Sequence, residues 1–415
     1  MQPSPVVVRQ IVWEEVFPWL ILLKTVRIAL APSLLAVATL AVLVTPLGWH
    51  VAGWLAKDDD ATRRAAAPPG AFRTPSAVPA PAPHRPSQQP LEPLPPAVRS
   101  QVARAIPLAP RAYLPTAHSA MLDAYTGLTE PLWRFFSREL TARTALAWLV
   151  GFLWMLAVWS LPGGLITRRA SVQLATGQVP ALAALLRLVA SRWSGYFFAP
   201  LYPLAGVLGL TLPVAGLGLL VRWADGAGWV LLALTWPLVL LMALAAAWLL
   251  AGLLLGWPLQ WPAISAERDG DAFDAFSRSF SYLYGRPLHY FFYFVLAMAL
   301  GALLWAVAEG AVMLVHHWCL WALSWGCKDA SIKELEHAIG WWLGEAATPP
   351  EGGGGATPRG ALWLAGGVLA GLAHLVRSVA VGLRFTYFFT AATAIYLLLR
   401  YEVDEKELDE VYQPT

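Results

Sequence analysis

The chain has 415 residues, 58% hydrophobic and 13% charged, with 29 basic and 26 acidic side chains for a formal net charge of +3. A soluble domain is about 25% charged, and so small a bias over this length is no footprint for nucleic acid, so both classes are excluded. The mean hydropathy of +0.55 is gathered into apolar runs of bilayer length, which predicts an all-α integral membrane protein with about six transmembrane helices, interfacial amphipathic helices and a Pro-rich loop.

Residues 1–27 mix Arg9, Glu14, Glu15, Lys24 and Arg27 with aromatics, unlike a cleaved signal peptide. Trp13, Phe17 and Leu20 repeat at helical spacing and predict an interfacial N-terminal helix ahead of an uncleaved first span at 28–49. Residues 50–143 form a Pro-rich extracytoplasmic loop. Fourteen of the 33 prolines fall between Pro68 and Pro115, a density that predicts an extended spacer without a core. Helical spacing returns at Leu132, Trp133, Phe136 and Leu140, predicting an amphipathic helix near 131–142 that lies flat before the second span at 144–163.

An inner amphipathic segment at 164–198 leads into spans three and four at 199–222 and 229–257, joined by a short outer turn. A second inner segment, 258–288, has Asp271 as N-cap, the pair Asp274 and Arg278, and a face of Phe273, Phe276, Phe280 and Leu283, before span five at 289–316. The two inner segments superpose at an offset of 94, both ending in an arginine and an aromatic cluster where a span begins, as related half-units do. Gly252 and Gly256 stand at the spacing that lets helices approach closely. An outer loop at 317–360 precedes a segment at 361–400 that contains span six. As one helix its apolar stretch runs about 58 Å, nearly twice the hydrocarbon thickness, so its first half is expected to project outside, lie along the bundle or form a re-entrant or separate helix. The C-terminal tail at 401–415 holds six acids against Lys406 and is expected to be solvated.

With the N-terminus inside, the inner segments carry seven arginines and the short outer turn only Arg222, so the basic-inside rule puts both termini in the cytoplasm. Amphipathic geometry makes Arg192, Trp193, Arg278, Arg286 and Tyr290 the candidate contacts to lipid headgroups. At membrane depth an ionisable group is a functional hypothesis with a named partner. The candidates are Glu309 in span five and Arg384 and Arg377 in the last segment, read as an ion pair joining two spans, as part of a proton or substrate pathway, or as a pair exposed to water.

Cys319 and Cys327 stand eight apart, about 12 Å on a continuous helix, too far for a bridge. A turn between them would allow a disulfide, and that alternative stays open. His316, His317 and Cys319 lie among Trp318, Trp321 and Trp325 and are read as an aromatic belt rather than metal ligands. No cofactor and no metal are expected.

Three passages, "LPGGLITRRASVQLA", "ERDGDAFDAFSRSFSYLYGRPLHYFFY" and "TYFFTAATAIYLLLRYEVDEKELDEVY", resemble an uncharacterised family of multi-pass inner-membrane proteins of planctomycete-type bacteria. The middle passage is also loosely similar to membrane domains in which an "ALxxSxxxxxGR" interfacial helix precedes a span. The resemblance covers roughly 145–412 and departs where Arg169 follows Arg168. It implies six spans in an inner membrane and carries over no activity, substrate or catalytic residue. No nucleophile with its base is visible, so the expected function is a non-enzymatic scaffold that engages the lipid bilayer, a membrane-protein partner or a second copy of itself. The alternative is a transporter or channel-like protein with its pathway near Glu309 and Arg384.

Overall fold

The computed structural model describes residues 17–56, 120–135, 142–268, 270–328, 331–332, 334–335, 338–339, 360–408 and 410–412. The proline-rich stretch and Trp13 lie outside the described residues, as do Phe136 and Leu140 and the side chains of Leu132 and Trp133. Among the described residues the chain is helical and contains no strand. Six helices are long and apolar enough to cross a membrane. It is an all-α, multi-pass membrane protein.

A single turn at Pro18–Leu20 leads into α1 (Ile21–Ala29), which buries Ile21, Leu22, Thr25, Ile28 and Ala29 along one side. The chain breaks at Leu30 and Ala31, and Pro32 opens α2 (Pro32–Ala56), the position where proline's missing N–H costs nothing. The first span therefore begins later than hydropathy alone suggests.

The described helix before the second span is α3 (Ala120–Phe135), while residues 136–141 of the amphipathic helix expected near 131–142 lie outside the described residues. Ala120, Met121, Ala124 and Leu128 are buried, so α3 is an internal piece of the bundle. Next, α4 (Ala142–Thr176) runs antiparallel to α2. Arg143 Nε meets Leu55 O at one end, Trp159 Nε1 meets Thr45 Oγ1 midway, and Arg169 meets Ser33 at the other.

Two short helices, α5 (Leu182–Ser191) and α6 (Trp193–Phe198), precede α7, which is helical over Leu201–Ala266. Sixty-six residues would extend about 99 Å as a straight rod. They do not. A Cβ on Gly228 would lie 2.6 Å from the Cα of Val221, seven positions back, and one on Gly206 would lie 3.0 Å from Leu249. Residues that far apart touch only if the chain doubles back, so α7 is a hairpin whose two arms, Trp193–Ala224 (with α6) and Gly226–Ala266, are separate spans. Glycine at 228 is what lets the arms close.

After α7 come α8 (Ala272–Gly285), capped by Asp271 whose carboxylate accepts from Asp274 N at 2.6 Å, and α9 (Pro287–Leu323). Finally α10 (Gly360–Asp404) is one unbroken helix of 45 residues, about 68 Å. No separate or re-entrant helix forms, and the C-terminal half is packed by protein. Val381 to Arg400 are buried on every side, making this stretch the hub on which the other helices pack. A helix apolar all round belongs in a core.

Prolines inside the spans leave carbonyls without helical donors, and in hydrocarbon these must be met by side chains. Pro258 frees Leu254 O, which accepts the Tyr125 hydroxyl at 2.8 Å. Pro200 frees Tyr196 O, which accepts the Trp261 indole at 2.8 Å. Thus α3 and α6 are tied to α7 at the places where α6 and α7 lack their own bonds.

Candidate functional site

Two charge clusters stand along the hub helix. Arg384 and Arg400 are 16 positions apart, about 24 Å, so one lies midway along the hub helix and the other near its C-terminal end.

At the midway site Arg384, 5% exposed, stacks its guanidinium 4.0 Å over the Trp305 ring of α9. The carboxylate that reaches it belongs to Asp123, with Nη1–Oδ2 of 3.5 Å. Asp123 lies in the first turn of α3, where the helix dipole also favours an anion. Glu309 and Arg377 stand farther off and act on Arg384 through space. The sequence pairing of Glu309 with Arg384 is therefore corrected: α3 enters the bundle and supplies a nearer carboxylate from a segment assigned to an outer surface.

The cluster near the C-terminal end is larger. The end of α7 is buried, and the last carbonyls of a helix have no helical donor. Glu267 N returns to Ala263 O at 3.1 Å, and Tyr412 N reaches Ala266 O at 3.1 Å. Between them Arg192 Nη1 donates to Ile264 O at 2.7 Å and Arg168 Nη1 to Ser265 O at 2.6 Å. Each terminal carbonyl thus has its own donor, three of them from distant parts of the chain. Arg192 also binds Glu267 O and Arg268 O, at 2.9 and 2.5 Å. Beside this cap the Ser265 hydroxyl meets Thr167 Oγ1 at 2.7 Å and Tyr196 Oη at 2.9 Å.

Just past the helix end, Glu267 meets Arg400 at 3.1 Å and Lys406 at 3.2 Å, and Tyr396 Oη donates to its Oε1 at 3.1 Å. Burial pushes the Glu267 carboxyl up, but the hydrogen bond and charge of Arg400, helped by Arg278 and Lys406, outweigh it and hold the group below its usual range. Arg278 pairs with Asp274 at 2.7 Å and with Asp404 at 3.4 Å, and Tyr282 Oη donates to Asp404 at 2.5 Å. Burial and the neighbouring Asp404 raise the Tyr282 hydroxyl. The acidic tail expected to be solvated is instead folded back over this cluster. Arg400 Nη2 holds Glu407 O and Glu410 O at 3.2 and 2.6 Å, and Val411 is buried.

The five residues expected to face lipid headgroups are placed differently from one another. Arg192 spends its donors on backbone carbonyls, Arg278 on two aspartates, and Tyr290, 7% exposed, on Leu255 O at 2.6 Å. Trp193 is exposed beside Phe197, and Arg286 is exposed between α8 and α9. The two inner segments keep a shared logic, since Tyr196 and Tyr290, 94 apart, both bury their rings and bond the second arm of α7. In α8 the buried residues are Ala272, Ala275, Ser279, Tyr282 and Leu283. Its phenylalanines form a ladder, Phe273–Phe276–Phe280, along the α7 flank, with Phe280 over Gly252. Gly252 and Gly256 thus serve the close approach of α8. Cys319 and Cys327 are both free and exposed, so the disulfide alternative is closed: the chain turns after Leu323 without joining them.

A small cavity of about 30 Å³ between α3, α4 and α7 is lined by Leu128, Phe152, Met155, Leu253, Trp257 and Trp261 among others. The lining is almost wholly apolar. Neither Arg384 nor Glu309 opens into it.

In comparisons with known proteins, no family model, no curated protein and no solved structure matches this chain.

Proposed function

We propose that the chain is a non-enzymatic scaffold of the bacterial inner membrane, with both termini in the cytoplasm, that holds anionic lipid headgroups at its inner rim. One observation carries the reading: the interior cations are engaged by the protein itself, and the rim cations are not. Arg384, Arg400 and Arg278 meet carboxylates, and Arg168 and Arg192 cap a helix. Arg187, Arg268 and Arg286 are exposed, and among the described residues no ion pair engages them. Exposed Leu182 and Leu186 flank Arg187, and exposed Leu288, Phe291 and Phe292 follow Arg286. Apolar side chains beside a free cation suit the boundary between hydrocarbon and phosphate. Ser33 and Tyr412 gather at one end through Arg169 and Arg168, and the basic-inside rule assigns that end to the cytoplasm.

Native mass spectrometry and thermal unfolding in nanodiscs test this, comparing phosphatidylcholine alone with added phosphatidylglycerol. Retained anionic lipid and added stability, both lost when Arg187, Arg268 and Arg286 are changed together to glutamine, are the expected results. Gradient-driven proton or solute flux in proteoliposomes that disappears in Asp123→Asn would overturn the scaffold in favour of a pathway at Arg384.

A further inference from the structure

Among the described residues, no carboxylate meets the two arginines of the helix cap at the end of α7. Arg168 is 3% exposed and gives its guanidinium to Ser265 O and, at 2.6 Å, to Tyr412 O. Half-buried Arg192 gives its own to three carbonyls and stands 5.4 Å above the Tyr412 ring. Among the described residues neither meets a carboxylate. Buried like charges without a counter-anion are unfavourable, and neutral carbonyls are weaker acceptors than anions.

The group covering these cations is the end of the chain. Tyr412 is held by its N–H to Ala266 O, by its carbonyl to Arg168 and by its ring against Arg192. The strap leaves α10 through Glu405 in a left-handed conformation, φ 54°, and the carboxylates of Glu405, Glu407 and Glu410 are exposed rather than turned toward the arginines. Its grip on Arg168 is thus one neutral oxygen that a better acceptor can replace. An arginine fork matches the oxygens of a phosphate.

We infer that residues 405–408 and 410–412 belong to a removable strap over a phosphate-accepting site formed by Arg168 and Arg192, and that phosphate, free or on a lipid headgroup, displaces the strap. Strap and ligand compete for one place, so the apparent affinity is set by the fraction of molecules with the strap open.

Hydrogen exchange of the 405–412 amides, measured on the full chain in nanodiscs, reads this directly. One arm adds inorganic phosphate to phosphatidylcholine discs; the other uses phosphatidic acid discs without free phosphate. At least one arm is expected to speed strap exchange by about tenfold, and the responding arm identifies the source. Arg168→Gln removes the response, while Tyr412→Ala weakens the competitor and lowers the apparent phosphate Kd by roughly tenfold. Unchanged exchange in both arms overturns the proposal, as does a normal response in Arg168→Gln. If Arg168→Gln does not fold, Tyr412→Ala decides: an unaltered phosphate affinity means that the strap covers no such site.

Discussion

Replacing Glu267 with glutamine strands a cation that has nowhere to go. Arg400 is 1% exposed, and its Nη1 is directed at the Glu267 carboxylate at 3.1 Å. Removing one partner of a buried pair costs roughly 3–5 kcal/mol, because the survivor remains desolvated and uncompensated. Lys406 and Tyr396 also bind Glu267, and Lys406, being partly exposed, adds little. Glu267→Gln is therefore expected to lower the unfolding free energy by about 3 kcal/mol or more. Arg400→Leu should cost at least as much, since it also releases the carbonyls of Glu407 and Glu410. The double variant Glu267→Met with Arg400→Leu removes both charges, and its loss should fall well short of the sum. Denaturant titration in detergent, run as a double-mutant cycle, supplies the coupling energy. A loss below about 1 kcal/mol for Glu267→Gln, or strict additivity, would refute a coupled buried pair. Acid gives the same result by another route. The folded Glu267 carboxyl titrates below the ordinary value of 4.5. Its contribution is thus fully present above that value and is lost as pH falls through the lower folded one. The parent should weaken in that acid window and Glu267→Gln should lack this component.

Midway along the hub helix, Asp123→Asn is expected to destabilise by about 3–5 kcal/mol through Arg384, and Glu309→Gln by less than about 1 kcal/mol, in the same titration. Equal losses would restore Glu309 as the partner. Gly252→Leu drives a side chain into Phe280 of α8 and is expected to cost roughly 1–3 kcal/mol by overpacking. A neutral result would mean that α8 does not lie on that flank. Cys319 and Cys327 should each take a maleimide without prior reduction, giving two adducts per chain by intact mass. A reductant requirement would show that they are bridged.

Much of this architecture was legible from residue order. The apolar runs, the turn between spans three and four, the Asp271 cap and the close-approach glycines are local properties, written in runs, caps and spacing of 3.6 residues. Hydropathy could place Arg384 at depth and demand a partner, because that follows from solvation alone. It could not say which acid answers. Asp123 is 261 positions away on a helix whose apolar side suits a membrane surface as well as a protein interior, and only the packing of α3 between its neighbours separates those outcomes. The long final segment shows the same division. As a lone helix it would exceed the hydrocarbon thickness, but it stays one unbroken helix whose C-terminal half is a hub packed by protein. The acidic tail is the clearest case: its charges predict solvation, while much of its attachment is made through backbone carbonyls and one amide, which every sequence possesses, with Asp404 and Lys406 adding ion pairs to distant partners. Composition and periodicity determined that this chain is a multi-pass helical membrane protein, with six candidate spans among the described residues. Which charges meet, and what covers the end of α7, depended on contacts between distant segments, which no local pattern encodes.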